Sequence, residues 1–315
     1  MSNNKQRAGL GLAAWIGLLG PMSLHAEPGL TAATTLQKPL GARAIAMGEA
    51  YVAADGGVDS MGYNPAGLLS LKRPVLETTY TNGLANDNFS FTGYAHPLPL
   101  GTISAGAIYY DAGTIQLNLS DGTNENRKAQ QDLVGLMGLS VPLGESLAAG
   151  MIAKFYRLEL AQEARATGYA ADAGLLWHSP LMGLNFGASI QNMGPNVKFE
   201  QEGDPLPLTT RFGAAYLLDL KRYGMDLPAF TQFQFTADGV KVKDDKTSAG
   251  IGLEMAMALG ESGRAALRFG YIFNQDLDSL TLGMGFKESR FFFDYALGIK
   301  SEINNVHNFS LGILF

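Results

Sequence analysis

From Val75 to the end of the chain, large apolar residues alternate with small or polar residues at every second position. In the last run of this kind the apolar positions are Phe309, Leu311, Ile313 and Phe315. Residues 264–273, 279–287 and 290–299 repeat the pattern. Because side chains of a β-strand point alternately to opposite faces, the pattern predicts a sheet with two unlike environments.

The second face consists mostly of Gly, Ala, Ser and Thr, with single charges of both signs at Lys154, Asp172, Arg211, Glu254, Arg268 and Asp294. A soluble sandwich usually carries many Lys and Glu residues on its water-facing side. Small residues with isolated charges are typical of a crowded, polar barrel lumen, and the continuous apolar face then contacts lipid. We therefore predict a transmembrane β-barrel with lumen-facing charges. A two-layer soluble β-protein is the alternative.

The period-2 runs predict fourteen strands, near residues 75–83, 88–95, 101–110, 131–142, 145–160, 166–178, 182–192, 208–220, 228–239, 247–257, 264–273, 279–287, 290–299 and 305–315. An even number of strands is what a closed bacterial outer-membrane barrel has. Short connections follow strands 2, 4, 6, 10 and 12, whereas long ones, residues 111–130 and 193–207, follow strands 3 and 7. Short periplasmic turns and longer extracellular loops alternate in this way. Residues 221–227 are an exception, a longer connection on the short side.

Residues 1–26 have the layout of a secretory signal peptide. Lys5 and Arg7 precede an apolar core, and the small residue Ala26 ends the segment. A membrane anchor is the alternative, although the apolar run is short and Pro21 interrupts it. We predict that the signal peptide is cleaved near Ala26, that residues 27–74 form a separate N-terminal segment and that residues 75–315 form the barrel.

The composition excludes several classes of function. The chain has no cysteine, so disulfides, thiol nucleophiles and Cys-ligated metals are unavailable. The formal charge of −6 argues against nucleic-acid binding, which needs a basic surface. The four histidines are scattered, and the sequence lacks a nucleophile elbow, a P-loop and a dinucleotide fingerprint. We expect no enzyme, no cofactor and no metal.

The C-terminal strand predicts partners in the outer membrane. The apolar positions Phe309, Leu311, Ile313 and Phe315 end on a terminal aromatic residue. Such a strand is suited to docking on the barrel assembly machinery, through its exposed backbone edge and the aromatic terminus. The expected location is the outer membrane of a Gram-negative-type cell, with membrane lipid around the wall.

Residues 27–74 are the only mature segment that the strand pattern leaves out of the wall. Asn64 followed by Pro65 is a helix start, with an N-cap and then a proline at the first helical position. A barrel of about fourteen strands lies between small barrels filled by their own side chains and the water-filled porins. Something must then occupy its lumen, and we predict that residues 27–74 form a hatch, or plug, inside it.

Residues 41–74, GARAIAMGEAYVAADGGVDSMGYNPAGLLSLKRP, resemble the N-terminal hatch of FadL-like outer-membrane barrels, which shows a Gly-Arg-Ala stretch, an acidic-glycine turn and an Asn-Pro-Ala motif. The form is most similar to the PorV/PorQ branch of that superfamily. The segments DPLPLTTRFGAAY at 204–216 and FDYALG…NVHNFSLGILF within 293–315 resemble the same branch. The resemblance implies fourteen strands and a plug.

The resemblance also implies a function. FadL-like proteins admit fatty acids and related hydrophobic molecules, which leave sideways through an opening at a kinked strand. We therefore expect passage of hydrophobic small molecules through a plugged lumen with lateral exit. PorV-type members instead receive secreted cargo proteins in type IX secretion, so a docking or shuttle role in secretion and surface attachment is the alternative. A structural barrel whose loops bind a partner is a third possibility.

Five hatch residues are candidates for holding or gating the plug: Arg43, Glu49, Asn64, Pro65 and Gly67. Isolated charges in a narrow lumen need partners, so Arg43 and Glu49 are expected to pair with wall charges such as Asp172, Glu254 or Asp294. For Asn64, Pro65 and Gly67, a helix cap and a turn with a purely structural role is the favoured interpretation, and gating by a shift of the small helix is the alternative.

Overall fold

The computed structural model describes residues 31–83, 87–118, 123–199, 203–224, 230–260, 262–274, 279–300 and 305–315. The predicted signal peptide at 1–26 lies outside the described residues, and so do residues 27–30. The described part of the chain is almost entirely β-structure, preceded by one short N-terminal segment at residues 31–74.

The strands are numbered β1 to β18 in chain order. Their bounds are β1 Val75–Asn82, β2 Asn88–Leu98, β3 Gly101–Asp111, β4 Thr114–Asn118, β5 Asn124–Lys128, β6 Gln130–Pro142, β7 Leu147–Leu160, β8 Ala164–His178, β9 Leu184–Met193, β10 Val197–Lys198, β11 Gly203–Asp204, β12 Thr209–Asp219, β13 Gln232–Val242, β14 Thr247–Leu259, β15 Gly263–Phe273, β16 Ser279–Glu288, β17 Phe291–Lys300 and β18 Val306–Leu314.

Fourteen of these strands form one closed antiparallel barrel, which confirms the predicted fold class. Each barrel strand pairs with its neighbours along the chain, and β18 closes the ring on β1. The closing ladder runs from Val75 opposite Leu314 to Asn82 opposite His307. Closure satisfies the backbone N–H and C=O groups that would otherwise be left unpaired at two sheet edges.

The other four strands form two small hairpins in the two long connections that the sequence indicated. Strands β4 and β5 pair between β3 and β6, and β10 pairs with β11 between β9 and β12. Both hairpins lie at the same end of the barrel, which we call the long-loop end; the opposite end is the short-turn end. The connection between β12 and β13 remains the exception at the short-turn end, and it contains a 3₁₀-helix at Leu220–Tyr223.

The outer wall is apolar and exposed. Met137 on β6, Met151 on β7 and Phe212 on β12 are each more than 60% exposed. Residues of the C-terminal strand share this face, with Phe309, Leu311 and Phe315 39%, 57% and 55% exposed. An apolar surface that runs around the whole barrel fits contact with lipid.

The inward face differs between two halves of the barrel. Strands β12 to β18 present mainly small and charged residues, as the alternation predicts. Strands β2, β3, β6 and β7 instead point large apolar side chains inward, among them Phe91, Ile108, Val134 and Ile152, all less than 5% exposed. The sequence pattern did not separate this half, because there both faces of the strands contain large apolar residues.

The N-terminal segment contains one short α-helix and three 3₁₀-helices. Helix α1 spans Ala42–Ala46, and the 3₁₀-helices span Thr34–Gln37, Val58–Gly62 and Pro65–Ser70. The expected helix after Asn64 is therefore a 3₁₀-helix, with the side chain of Asn64 accepting a hydrogen bond from the N–H of Ala66 at 3.1 Å. In the described part of the chain, no helix has the length and apolar character needed to cross a membrane.

A substitution at two depths of one strand tests the membrane placement of the wall. Met137 lies near the middle of β6, and Gln131 lies on the same outer face close to its long-loop end. Met137→Arg should reduce the free energy of unfolding in lipid vesicles by about 2–4 kcal/mol, and Gln131→Arg by about 0–1 kcal/mol, because the cost of a buried arginine depends on its depth in the bilayer. Urea unfolding followed by tryptophan fluorescence measures both. Equal effects would contradict the placement.

Candidate functional site: the barrel interior

The N-terminal segment runs along the inside of the barrel from one end to the other. At the long-loop end, the N–H of Ala32 donates to the carbonyl of Pro205 at 3.0 Å. At the short-turn end, the N–H of Phe315 donates to the carbonyl of Pro74 at 2.9 Å. Between these points the segment bonds to inward-facing side chains of strands on all sides of the wall. Ser310 Oγ of β18, for example, accepts from the N–H of Ala42 at 2.9 Å.

Arg43 of helix α1 makes the most extensive polar contact between the segment and the wall. Its Nε and Nη2 atoms donate to the two carboxylate oxygens of Glu254 on β14, at 2.9 and 3.0 Å. Nη2 also donates to Oε1 of Gln234 on β13 at 3.0 Å, and Nη1 donates to the hydroxyl of Tyr51 at 2.9 Å. A forked pair of this kind fixes the orientation as well as the distance of the two groups.

The Arg43 contact continues into the wall as a chain of charges. Arg268 Nε on β15 donates to Glu254 at 2.6 Å, and its Nη1 donates to Asp294 on β17 at 2.6 Å. Burial alone lowers the pKa of Arg43, but the carboxylate of Glu254 more than offsets it, so the pKa stands above its ordinary value. The guanidinium therefore stays charged at every physiological pH. Of the predicted pairings, the structure brings Arg43 together with Glu254.

The remaining predicted lumen charges lie on the inner wall away from Arg43. Lys154 of β7 and Asp172 of β8 form a buried ion pair at 2.8 Å. Asp172 also accepts from the N–H of Asn192, at the place where the β8–β9 ladder shifts register. Arg211 of β12 donates from Nε to Gln191 at 3.1 Å.

Asn64 joins the segment to itself and to the wall. Its Nδ2 donates to the carbonyl of Val52 at 2.7 Å and to the carbonyl of Leu175 on β8 at 2.9 Å. With the N-cap bond to Ala66, the buried amide uses both its acceptor and its donors. The hydrogen bonds of Asn64 thus join three parts of the chain, at Val52, Ala66 and Leu175.

Pro65 and Gly67 follow Asn64 into a narrow space. Ser140 Oγ of β6 donates to the carbonyl of Pro65 at 2.6 Å. Gly150 of β7 lies directly beside Pro65, and a Cβ at position 150 would stand 2.4 Å from the carbonyl carbon of Pro65. A Cβ at Gly67 would stand 2.9 Å from Ser60 Oγ. Glycine is therefore required in the wall for the segment to approach so closely.

Glu49, the fifth predicted hatch residue, occupies a turn with a positive φ of 57°. It lines two cavities at the long-loop end, and Arg43 lines neither of them. The structure thus separates the two charged hatch residues that the sequence grouped together.

Three buried carboxyl groups at the segment were not predicted as site residues. Asp238 of β13 accepts from the N–H groups of Tyr51 and Val52 at 2.7 and 2.8 Å. Asp59 of the segment and Glu77 of β1 are 2% and 3% exposed. Asp238 and Glu77 follow the same inward alternation as the predicted charges, so the strand pattern could have identified them. Asp59 lies in the N-terminal segment, which has no regular alternation of apolar and polar positions to indicate that it is buried.

A cavity that we call the mouth cavity lies at the long-loop end and has a volume of about 520 Å³. Its walls include Phe89, Tyr110, Ile45 and Val306, together with Gly298 of β17. Lys38 stands at this cavity with its Nζ 4.1 Å from the centre of the Tyr110 ring. The cavity therefore offers mainly aromatic and aliphatic surface, together with the Lys38–Asp87 ion pair and Glu49.

Two further cavities are more polar. The side cavity, of about 300 Å³, shares Lys38 and Glu49 with the mouth cavity and reaches Lys154 and Arg211. The lower cavity, of about 360 Å³, lies at the short-turn end. Its charged lining is Arg43, Asp55, Asp59, Glu77, Glu254, Arg264, Arg268, Lys287 and Asp294. Helix α1 thus lies between a mainly apolar cavity, lined by Ile45, and a charged one, lined by Arg43.

The interior contains no candidate metal centre within the described ranges, since no group of three or more His, Asp or Glu side chains there could hold an ion. The geometry can hold a segment in place and can enclose small molecules.

These features define a class: a transmembrane β-barrel of the outer-membrane type, whose lumen contains an N-terminal chain segment. No model of a known protein family matches the sequence, and no curated protein sequence matches it. Several solved structures have a similar fold.

The fold is similar to the toluene transporter TbuX of Ralstonia pickettii, with a TM-score of 0.54, 13% identity and coverage of 89% of this chain and 99% of that one. The CymD monoaromatic hydrocarbon channel gives a TM-score of 0.58 at 12% identity, covering 88% and 97%. A FadL homologue from Pseudomonas aeruginosa gives 0.54 at 8% identity, covering 84% and 95%. At such identities the likeness extends to the fold, which is that of FadL-type barrels.

The PorV/PorQ branch and its secretion role remain predictions from the sequence. None of the structures reported above carries that branch in its name.

Reversing the charge of Arg43 tests whether its ion pair holds the segment. Arg43→Glu places a carboxylate against Glu254, so the segment should loosen and leak of small polar solutes from protein-containing liposomes should rise. Lys72→Glu is the matched control, because Lys72 is an exposed cation of the same segment. Unchanged leak in Arg43→Glu, or an equal rise in both variants, would rule out this function for the pair.

The isosteric change Asn64→Asp tests the junction. It keeps the acceptor for Ala66 but removes both donations and puts a carboxylate oxygen against the carbonyls of Val52 and Leu175, which should cost about 1–3 kcal/mol. Limited proteolysis should cut within residues 31–74 sooner than in the wild type. Asn305→Asp, at an exposed position of the long-loop end, should leave the cleavage rate unchanged. Wild-type resistance in Asn64→Asp would contradict the assignment.

Proposed function

We propose that the protein passes hydrophobic small molecules across the outer membrane, with the mouth cavity as their entry site. The observation that carries the proposal is the aromatic and aliphatic lining of this cavity of about 520 Å³ at the long-loop end. Ligand sites are concave, mainly apolar and furnished with a few polar groups, and the mouth cavity has this composition. No catalytic role is part of the proposal.

The orientation follows from the connections. Outer-membrane barrels have short periplasmic turns and longer extracellular loops, so the long-loop end faces outward in this proposal. A molecule that arrives from outside then meets the mouth cavity first. Residues 31–74 act as the hatch below it, and residues 75–315 as the barrel, after removal of a signal peptide near Ala26.

The charged lower cavity supports a sideways exit rather than passage along the barrel axis. A hydrophobic molecule that crossed to the short-turn end would have to displace water from Arg43, Glu254 and Arg268, which is costly. The β8–β9 ladder is the one place where the described wall shifts register, between Ala171 and Ala173, and Asn192 there lines the side cavity. We propose this irregularity as the exit.

The substrate class is drawn from the cavity and from the proteins that share the fold. Two of those proteins are described as a toluene transporter and a monoaromatic hydrocarbon channel. For this chain we propose aromatic or aliphatic hydrocarbons, including amphiphiles similar to fatty acids. The probes are radiolabelled toluene and radiolabelled palmitate.

Filling the mouth cavity tests the proposal. Gly298 has no positive φ, and a Cβ built there meets only Val306, at 3.9 Å, so a larger side chain enters the cavity without displacing backbone. Gly298→Leu should lower the initial uptake of both probes to near the rate of cells carrying the empty vector. Uptake is measured in a host that lacks its own transporter for each probe.

The matched control places the same side chain on the outside of the wall. Gly135 of β6 shares the outer face with Met137, and a Cβ there meets only Phe155 O, at 3.9 Å. Gly135→Leu should keep wild-type uptake. Uptake that survives Gly298→Leu would contradict entry through the mouth cavity, and wild-type uptake no faster than the vector would contradict transport of these probes.

A further inference from the structure

The ammonium group of Lys38 lies at the wall of the mouth cavity, immediately after the 3₁₀-helix Thr34–Gln37. Its Nζ atom is 4.1 Å from the centre of the Tyr110 ring and 3.3 Å from Oδ2 of Asp87. An ammonium group has three N–H donors, and the Lys38 side chain is 30% exposed. Tyr110 and Asp87 therefore leave part of the cation uncovered at the cavity.

Contacts within the protein already fix the chain around Lys38. The hydroxyl of Thr35 donates to the carboxylate of Asp132 on β6, and both residues are buried. The N–H of Lys38 donates to the carbonyl of Thr35 at 3.3 Å. Leu36 and Leu40, two residues to either side of Lys38, are also buried. Because the position of Lys38 is set in advance, a ligand that contacts it has little chain freedom to remove.

Two aromatic rings form the surface next to this cation. Phe89 of β2 and Tyr110 of β3 lie directly opposite each other in their ladder, and both line the mouth cavity. Side chains at opposite positions have Cβ atoms about 4.5–5.5 Å apart, so the two rings are neighbours. Ile45, Ile272 and Val306 add aliphatic surface. A flat ring that packs on this surface comes within reach of the Lys38 ammonium.

The charges in the described lining of the mouth cavity favour a neutral ligand over an anionic one. They are one cation, Lys38, and two carboxylates, Glu49 and Asp87. A fatty-acid carboxylate that approached Lys38 would also approach Asp87, which lies 3.3 Å from the same ammonium. An aromatic ring has no net charge, but its face is negative and its edge is positive. Its face can therefore contact the cation while its edge is turned toward a carboxylate.

We propose that Lys38 makes the mouth cavity selective for aromatic hydrocarbons, by placing its ammonium against the face of the ligand's ring. This selectivity rests on the proposed entry of hydrophobic molecules through the cavity and names the property by which they are chosen. The contact between Lys38 and Tyr110 is of the same kind, so the ring of the ligand extends an arrangement that the fold already provides. Such a contact favours an aromatic ligand about three- to tenfold over a saturated ring of the same size.

The ratio of two uptake rates tests the proposal. Toluene and methylcyclohexane share one carbon skeleton, and only toluene is aromatic. Initial uptake of each radiolabelled probe is measured in the same host cells, and the rate of cells carrying the empty vector is subtracted. Lys38→Met removes the charge but keeps an apolar side chain of similar length. It should lower the ratio of toluene to methylcyclohexane uptake about three- to tenfold relative to the wild type. An equal ratio in the two proteins would overturn the proposal.

Two further variants separate the charge of Lys38 from its structural contacts. Lys38→Arg keeps a cation that can lie on an aromatic face, so it should keep most of the wild-type ratio. Lys72→Met removes an exposed lysine of the same segment and should keep all of it. A loosened segment would change both uptake rates together and would leave their ratio unchanged. A ratio as low in Lys38→Arg or in Lys72→Met as in Lys38→Met would contradict the proposal.

The same cells distinguish a failure of this selectivity from a failure of the proposed function. Each variant is first checked for the heat-modifiable band of a folded barrel, and Lys38→Gln replaces Lys38→Met if that variant does not fold. A drop in palmitate uptake in Lys38→Met, with an unchanged ratio for the other two probes, would show a carboxylate site and overturn the proposal. Wild-type uptake of toluene and methylcyclohexane no faster than the vector would contradict the proposed entry itself, and the selectivity with it.

Discussion

The closed ring of backbone hydrogen bonds is the constraint on which the rest of the structure depends. A wall surrounded by lipid must pair every N–H and C=O group within itself, so the last strand has to meet the first. Once fourteen strands close, the width of the lumen is set, and it is too wide for the wall's own side chains to fill. The N-terminal segment supplies the missing material, and the wall's glycines and small residues leave space for it.

Two kinds of interaction hold the N-terminal segment inside the barrel, and they lie on different sides of it. On the side of β2, β3, β6 and β7, apolar packing holds the segment, with Met61, Tyr63 and Leu68 joining one buried cluster with Phe91 and Val134. On the side of β13 to β17, directional polar bonds hold it, through Arg43 and Glu254 above all. Packing tolerates small shifts, whereas a forked ion pair has one good geometry. The polar side therefore sets the register of the segment, and the apolar side removes nonpolar surface from water.

Much of the fold could be predicted from the sequence, because an alternation of period 2 is a direct consequence of strand geometry. The number of barrel strands and the two long connections followed from it. The same alternation indicated that Glu254, Arg268 and Asp294 share a face. It could not indicate that Arg43 reaches Glu254 whereas Glu49 lies elsewhere, because the segment has no period and its path depends on contacts with distant strands. Nor could it distinguish the apolar half of the lumen, where Ile108 and Val134 point inward while large apolar residues also point outward.

The position of the segment along the chain has a consequence for assembly. Residues 31–74 precede β1, and the seam that completes the ring joins β1 to β18. The segment inside the barrel is therefore synthesised before the barrel strands, and β18 is synthesised after the other strands. A barrel that closes between β1 and β18 can form around a segment that already lies inside it. The segment then does not have to be inserted into a closed barrel. At the same junction the N–H of Phe315 donates to the carbonyl of Pro74. The first and last strands of the barrel therefore meet where the N-terminal segment passes into β1.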